Sequence, residues 1–333
     1  VVGKRYDVVG IGNAIVDVIA HVGDDFITAN GMAKGSMTLI DADRAAELYA
    51  AMPPAIETSG GSAANTMAGV AGFGGRVAYV GKVRGDQLGE VFRHDIRAIG
   101  VSYEQPLAAD GLPTARCLIL VTPDAERTMN TFLGISSLLE PDDVDESLVA
   151  EAAVVYCEGY LWDVASAKEA IRKAMETGKR SGAKVALTLS DTFCVDRHRD
   201  EFLHLVEHHT DIVFANEAEI CALYRTDDIE SAIRQVRGHA ELACVTRSAK
   251  GSVIVTPDEV VEVPAWSSGP VVDTTGAGDL YAAGFLHGYT TGRDLFTSGW
   301  YGSLAAGECI AHTGPRPEAD LAALLARVGV PGR

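Results

Sequence analysis

Six cysteines are scattered along this 333-residue chain, at 117, 157, 194, 221, 244 and 309, and no CxxC pair occurs among them. Most lie inside apolar runs, so buried reduced thiols are expected rather than a zinc ribbon or a redox pair. That state suits a reducing compartment, and the protein is expected in the cytoplasm. Basic residues are also scarce: 28 Lys and Arg stand against 46 Asp and Glu, for a formal net charge of −18. No block of like basic charges appears, so neither nucleic acid nor an anionic membrane is the expected partner. No apolar run approaches the roughly eighteen residues that a membrane-spanning helix needs. The apolar start, Val1 to Ala20, is broken by Asn13 and Asp17 and reads as a first core strand, not a signal peptide. Two phosphate motifs are missing. No GxxxxGK[ST] occurs, and Gly10-x-Gly12 has Ile15 where a dinucleotide fingerprint needs its last small residue. The histidines show neither HExxH nor another close ligand spacing.

What is present is an α/β pattern of ordinary apolar content, 47% of residues. From about residue 152, near-continuous apolar strands (153–157, 185–189, 211–214, 242–246) alternate with helical stretches (164–181, 197–208, 216–224, 228–238). That rhythm predicts a doubly wound, mostly parallel sheet with helices on both faces. Earlier, residues 7–12 and 77–80 read as strands, and 62–73 and 86–99 as helices. Three further helices are expected at 280–289, 294–311 and 318–328. Segments 14–55 and 101–135 do not follow the rhythm and are strand-like. They are expected to form a small β-sheet lid within a single domain spanning 1–333. The alternative is that they are edge strands of the main sheet.

The most informative stretch is Asp273-Thr274-Thr275-Gly276-Ala277-Gly278-Asp279, at the start of an apolar helix. Its small residues leave the main-chain amides of Gly276, Ala277 and Gly278 open, and a helix N-terminus adds donors and partial positive charge. Such a pocket suits a phosphate. Asp279 at its rim is either a favourable first-turn acid or a base for a hydroxyl lying between it and the phosphate. Gly60-Gly61-Ser62-Ala63-Ala64-Asn65 lets the backbone approach a ligand and sets Asn65 one turn into a helix; alternatively it is a turn with Ser62 as cap. Asn13 and Asp17 follow the first strand, where α/β sheets bind ligands. Asp17 can accept from two neighbouring hydroxyls, or the pair can be an Asx-turn and a solvated acid. Asn216 and Glu219 form a helix cap and capping box, or organise Mg²⁺ through its waters. The turn Thr246-Arg247-Ser248-Ala249-Lys250-Gly251 holds a nucleotide or is a plain hairpin.

With these residues assembled, the chain resembles the ribokinase-like (PfkB) family of carbohydrate and nucleoside kinases over essentially its whole length. The segments GGSAAN (60–65) and DTTGAGD (273–279) carry the likeness, with the NxxE at 216–219 and the TxxxxG turn in the expected order. The resemblance implies Asp279 as catalytic base, Gly276, Ala277 and Gly278 as anion hole, and Mg²⁺ held indirectly by Asn216 and Glu219. It implies ATP near Thr246, Gly251 and Ala306, with Arg247 at a phosphate or the adenine, and acceptor hydroxyls on Asp17, Gly61 and Asn65. It also implies Asp273 and Thr275 as a monovalent-cation site, with K⁺ as activator. Ser248 departs from the glycine often found in that turn.

The spacing of Asn13 and Asp17 and the arginine of Glu126-Arg127-Thr128 resemble the adenosine kinase branch, in which Arg127 would assist the phosphates. Between 14 and 60 the only Lys or Arg are Lys34 and Arg44, and 101–135 add only Arg116 and Arg127. An acceptor already phosphorylated would want more positive charge, so a neutral one is expected. Phosphorylation of the 5′-hydroxyl of adenosine or a related nucleoside is the leading expectation. A free-sugar kinase is the alternative, and a non-catalytic nucleotide sensor is the alternative of another class. An exposed lid sheet would also offer a surface for a homodimer.

Overall fold

The computed structural model describes residues 3–124 and 126–331. Val1, Val2, Ala125, Gly332 and Arg333, which fall within the expected domain and lid ranges, lie outside the described residues. In chain order the strands are β1 (Tyr6–Ile11), β2 (Ile15–His21), β3 (Met37–Leu39), β4 (Ile56–Gly60), β5 (Val77–Val80), β6 (Val101–Ser102), β7 (Ala115–Val121), β8 (Arg127–Phe132), β9 (Ala152–Glu158), β10 (Lys184–Thr188), β11 (Ile212–Asn216), β12 (Leu242–Thr246), β13 (Ser252–Val255) and β14 (Val260–Val263). They build a nine-stranded sheet of order β14-β13-β12-β11-β10-β9-β1-β5-β6 and a five-stranded sheet of order β3-β8-β7-β2-β4.

In the large sheet, β6 through β12 run parallel, and β13 and β14 close one edge as antiparallel strands. Alternate residues of each strand serve different cores. Val8, Val154, Tyr156 and Ala186 pack under the helices Ser62–Gly72, Ala277–Thr290 and Leu295–Cys309. Val9, Val155, Cys157 and Val185 pack under Ala165–Arg180, Thr192–His208, Glu217–Tyr224 and Ile229–Val236. Two covered faces are why these strands read as unbroken apolar runs. Each fully buried aliphatic side chain adds about 1.5–3 kcal/mol of transfer free energy.

β1 is flanked by β5 on one side and β9 on the other, so the direction of winding reverses beside it. A crevice opens at such a point, outside the carboxyl ends of the strands. The helices Ser62–Gly72 and Ala277–Thr290 meet over this crevice because their facing residues are small. A Cβ on Gly69 would lie 2.6 Å from the Ala283 methyl and 2.7 Å from Leu280 Cδ1. Their N-termini therefore converge.

The small sheet differs from the strand-like reading of its segments. Residues 14–55 also contain helices at Asp24–Ala29 and Ala42–Ala51. The second begins where the Asp41 carboxylate accepts the Arg44 amide, and it buries Ala45 and Leu48, a spacing too short to stand out as a period. β6 pairs with β5 in the large sheet, and β4, beyond residue 55, pairs with β2 in the small one. The helix expected from Leu280 starts at Ala277, because Gly276 at φ 78° turns the chain directly into it.

Candidate active site

One cavity of about 600 Å³ lies at the crevice, and it gathers most of the residues singled out from sequence. Asn13, Asp17, Gly61, Asn65, Asn216, Glu219, Thr246, Thr275, Gly276, Ala277, Gly278 and Asp279 all line it. Arg127, Arg247, Gly251, Asp273 and Ala306 do not. Arg127 and Asp273 face each other behind the glycine loop, Nη1 to Oδ2 at 2.7 Å. Arg247 Nε lies 3.4 Å from Glu217 Oε2. The turn after β12 closes on itself through Arg247 N–H to Gly251 O at 2.7 Å and Gly251 N–H to Ser248 O at 3.0 Å. Ser248 takes the left-handed φ of 50° there, which explains why glycine suits that position. Ala306 is half-buried in the helix Leu295–Cys309.

The glycine loop is built as its composition requires. Gly276 has no room for a side chain, since a Cβ would lie 2.7 Å from Pro315 Cα. A Cβ on Gly278 would meet nothing within 4 Å. The Ala277 amide turns back to Thr274 O at 3.2 Å, whereas the Gly276 and Gly278 amides have no protein partner among the described residues. These are donors left for a ligand at a helix N-terminus.

Asp279 is fixed by the other glycine motif. Ser62 Oγ donates to its Oδ1 at 2.6 Å and Asn65 Nδ2 to its Oδ2 at 3.1 Å. Burial pushes its carboxyl up to about 6, against the pull of those two donors and of Arg316. Arg316 Nε in turn donates to Asn65 Oδ1 at 2.7 Å, and its Nη2 donates to Ser59 O at 2.8 Å.

Asp17 is buried on β2, and burial raises its carboxyl to about 6, with Arg316 and Arg127 opposing and Asp279 reinforcing. Gly60 on the neighbouring β4, paired with Ile15, has no space for a Cβ, which would lie 2.5 Å from Asp17 Cγ. Asn216 and Glu219 form the full reciprocal cap: Glu219 N–H to Asn216 Oδ1 at 2.9 Å, and Asn216 N–H to Glu219 Oε2 at 3.0 Å. Glu219 is nonetheless a cavity residue whose carboxyl burial pushes up to about 7, with the Asn216 amide opposing and Asp191 and Asp279 adding to the rise.

Sequence reasoning missed Glu158 and Arg316. Glu158 ends β9, is 1% exposed, and accepts from Asn13 Nδ2 at 2.8 Å and Ala63 N–H at 3.0 Å. Burial lifts its carboxyl to about 7 despite those donors. An acid closing an apolar strand at its carboxyl end was a readable signal. Arg316 sits in Gly314-Pro315-Arg316-Pro317, which has no periodicity to read. The small sheet lines the cavity with the apolar Ile15, Met37, Leu39, Ile119 and Met129 beside Asp17, Cys117 and Thr131, and Phe193 lines it as well. Met37, Leu39 and Phe193 are 51%, 58% and 73% exposed.

Among the described residues no group of three or more His, Cys, Asp or Glu could ligate a metal directly. No helix among them is long and apolar enough to cross a membrane. The arrangement can seat an anion on main-chain amides, place a hydroxyl against an acid, and bury an apolar group beneath the small sheet.

Known proteins share this design. The pattern of the pfkB family carbohydrate kinases matches residues 33–321. The crystal structure of adenosine kinase from Sinorhizobium meliloti is 53% identical, with a TM-score of 0.90, covering 98% of this chain and 100% of that one. A probable sugar kinase from Rhizobium etli CFN 42 is 50% identical, with a TM-score of 0.91 and the same coverage. Adenosine kinase of Saccharomyces cerevisiae is 27% identical over 327 residues, covering 92% of this chain and 95% of that protein. The match extends over nearly all the elements that form the crevice, and the chain belongs to the pfkB family of carbohydrate kinases.

Proposed function

We propose that the protein transfers the terminal phosphoryl group of ATP to the 5′-hydroxyl of adenosine or a related nucleoside. Family membership implies ATP as donor. The observation that carries the choice of acceptor is the set of apolar side chains, Met37, Leu39, Ile119, Met129 and Phe193, among the residues lining the cavity. A nucleobase has a larger and flatter apolar face to bury there than a free sugar, whose ring is ringed by hydroxyls. The kinship with the Sinorhizobium meliloti adenosine kinase supports the same reading. The second reading, a free sugar, is favoured by the kinship with the probable sugar kinase and by Glu158, one more buried acceptor in the cavity.

In the leading reading Asp17 accepts from the ribose hydroxyls and Asn65 and Gly61 flank the sugar. The 5′-oxygen lies against Asp279. A bond forms from that oxygen to phosphorus while the bond to the departing ADP breaks, and the hydroxyl proton passes to Asp279 late in transfer. A carboxyl near 6 is ionised at neutral pH and still basic enough to accept it. The amides of Gly276 and Gly278 stabilise charge on the moving group. Mg²⁺ keeps several of its waters, so Asn216 and Glu219 would hold it through them, and it would offset the polyphosphate charge. Glu219, raised by burial and with no cationic side chain bonded to it among the described residues, fits that task.

The test is ADP release with Mg·ATP across a panel of nucleosides and free sugars. Adenosine is expected to give the highest kcat/KM. A free sugar exceeding it would overturn the acceptor, and no release with any member would overturn the kinase.

A further inference from the structure

We infer that Arg127 supplies from within the chain the positive charge at Asp273 for which the family resemblance calls on a monovalent cation, so that the protein needs no K⁺. Asp273 heads the loop that carries Gly276 to Asp279, and its carboxylate is enclosed by donors. Oδ1 accepts from Thr275 N–H at 3.0 Å and from Thr275 Oγ at 2.8 Å. Oδ2 accepts from Gly314 N–H at 2.9 Å and faces Arg127 Nη1 at 2.7 Å. The carbonyl of Thr275 takes the thiol of Cys309 at 3.4 Å. Hard cations want a shell of oxygen acceptors. Here N–H and O–H groups point at the carboxylate instead, and a guanidinium stands at contact distance.

The two side chains are 7% and 9% exposed, so neither charge is screened by bulk water. Among the described residues, neither terminal nitrogen of Arg127 makes an aligned hydrogen bond. The partnership is therefore one of charge, which is what an alkali cation would bring to this carboxylate. A buried carboxylate stripped of its partner is strongly destabilising. Arg127 opens β8 of the small sheet, whereas Asp273 belongs to the loop at the large sheet. The counter-charge of the glycine loop thus comes from the covering sheet.

The experiment compares the full chain in KCl and in tetramethylammonium chloride at equal ionic strength. Thermal melting is read without substrate, so it stands apart from the kinase reading, and turnover with adenosine is read second. The wild type is expected to melt at one temperature in both salts and to turn over equally. Arg127→Met is expected to melt several degrees lower in tetramethylammonium, with part of that loss restored by K⁺; Arg127→Lys, which keeps the charge, should melt alike in both salts. A wild type stabilised or activated by K⁺ would overturn the inference. So would an Arg127→Met protein that melts like the wild type, or one whose loss K⁺ does not reduce. If that variant does not fold, the wild-type comparison alone decides.

Discussion

Arg316 points its Nε hydrogen at the side-chain carbonyl of Asn65, 2.7 Å away. That bond fixes which way the Asn65 amide lies, and it is why the Nδ2 group faces Asp279 at 3.1 Å. An acid at position 65 would keep the bond to Arg316 and set a second carboxylate against Asp279. Like charges raise a carboxyl further. In wild type, kcat/KM should fall on the acid side as Asp279 takes up a proton near pH 6. In Asn65→Asp that limb should move to higher pH, with turnover at pH 7 down at least about tenfold. An unmoved limb would show that Asn65 has no hold on the base.

Replacing Asp279 by Asn has opposite effects on rate and stability. Loss of the base should lower kcat at least about 10²-fold. The folded carboxyl sits near 6 against an ordinary 3.8, so the fold holds this proton more tightly than the unfolded chain does. The group's contribution is therefore full below about 4 and is lost as pH rises through 6. Asn escapes that loss, so the variant should melt above wild type at pH 8, and the gap should narrow at pH 5. Its upper size is about 2–3 kcal/mol, reduced by the solvent that reaches this half-buried group. A gap that widens on acidification would contradict the sign.

The two loop glycines should fail differently. Gly276→Ala forces a side chain into φ 78° and against Pro315, so the protein should lose about 1–3 kcal/mol of stability for the backbone alone and melt lower. Gly278→Ala meets no neighbour and improves helix propensity, so it should melt at or above wild type. Its methyl nevertheless enters the space where phosphate is proposed to bind, and kcat/KM for ATP should fall at least about tenfold. Parallel melting and ATP kinetics on the two proteins check this; a fully active Gly278→Ala would move the phosphate elsewhere.

Asp17→Ala should act on the acceptor alone. Hydrogen bonds to a charged group are worth about 1.5–3 kcal/mol each, so the acceptor KM should rise roughly 10–100-fold. The KM for ATP should hold. Equal changes in both would mean that the substitution disturbs the sheet and not a binding contact.

Much of this was legible beforehand. The strands from β9 to β12 announce themselves because both their faces are covered, and the two glycine motifs because each needs a bare backbone. Asp279, Asn65 and Asp17 could be named from position, yet nothing in the chain order says that Ser62 bonds to Asp279 across 217 residues. Arg316 was invisible for the same reason: its value lies in reaching Asn65, 251 positions away. Ala42–Ala51 hid because it buries only Ala45 and Leu48, too few apolar residues to mark a period. Arg127 was read as assisting the phosphates, but its partner Asp273 comes from a loop whose approach only the tertiary fold determines.

Only Gly12, Asn13 and Ala14 separate β1 from β2, and Gly61 alone separates β4 from the helix beginning at Ser62. Two of the four passages between the sheets are thus made of residues that line, or adjoin, the proposed acceptor pocket. No slack chain is left at these crossings to absorb a swing of the smaller sheet. Tilting it must drag Asn13, Asp17 and Gly61 along, so a nucleoside would sense the position of its roof through the groups that grip its sugar.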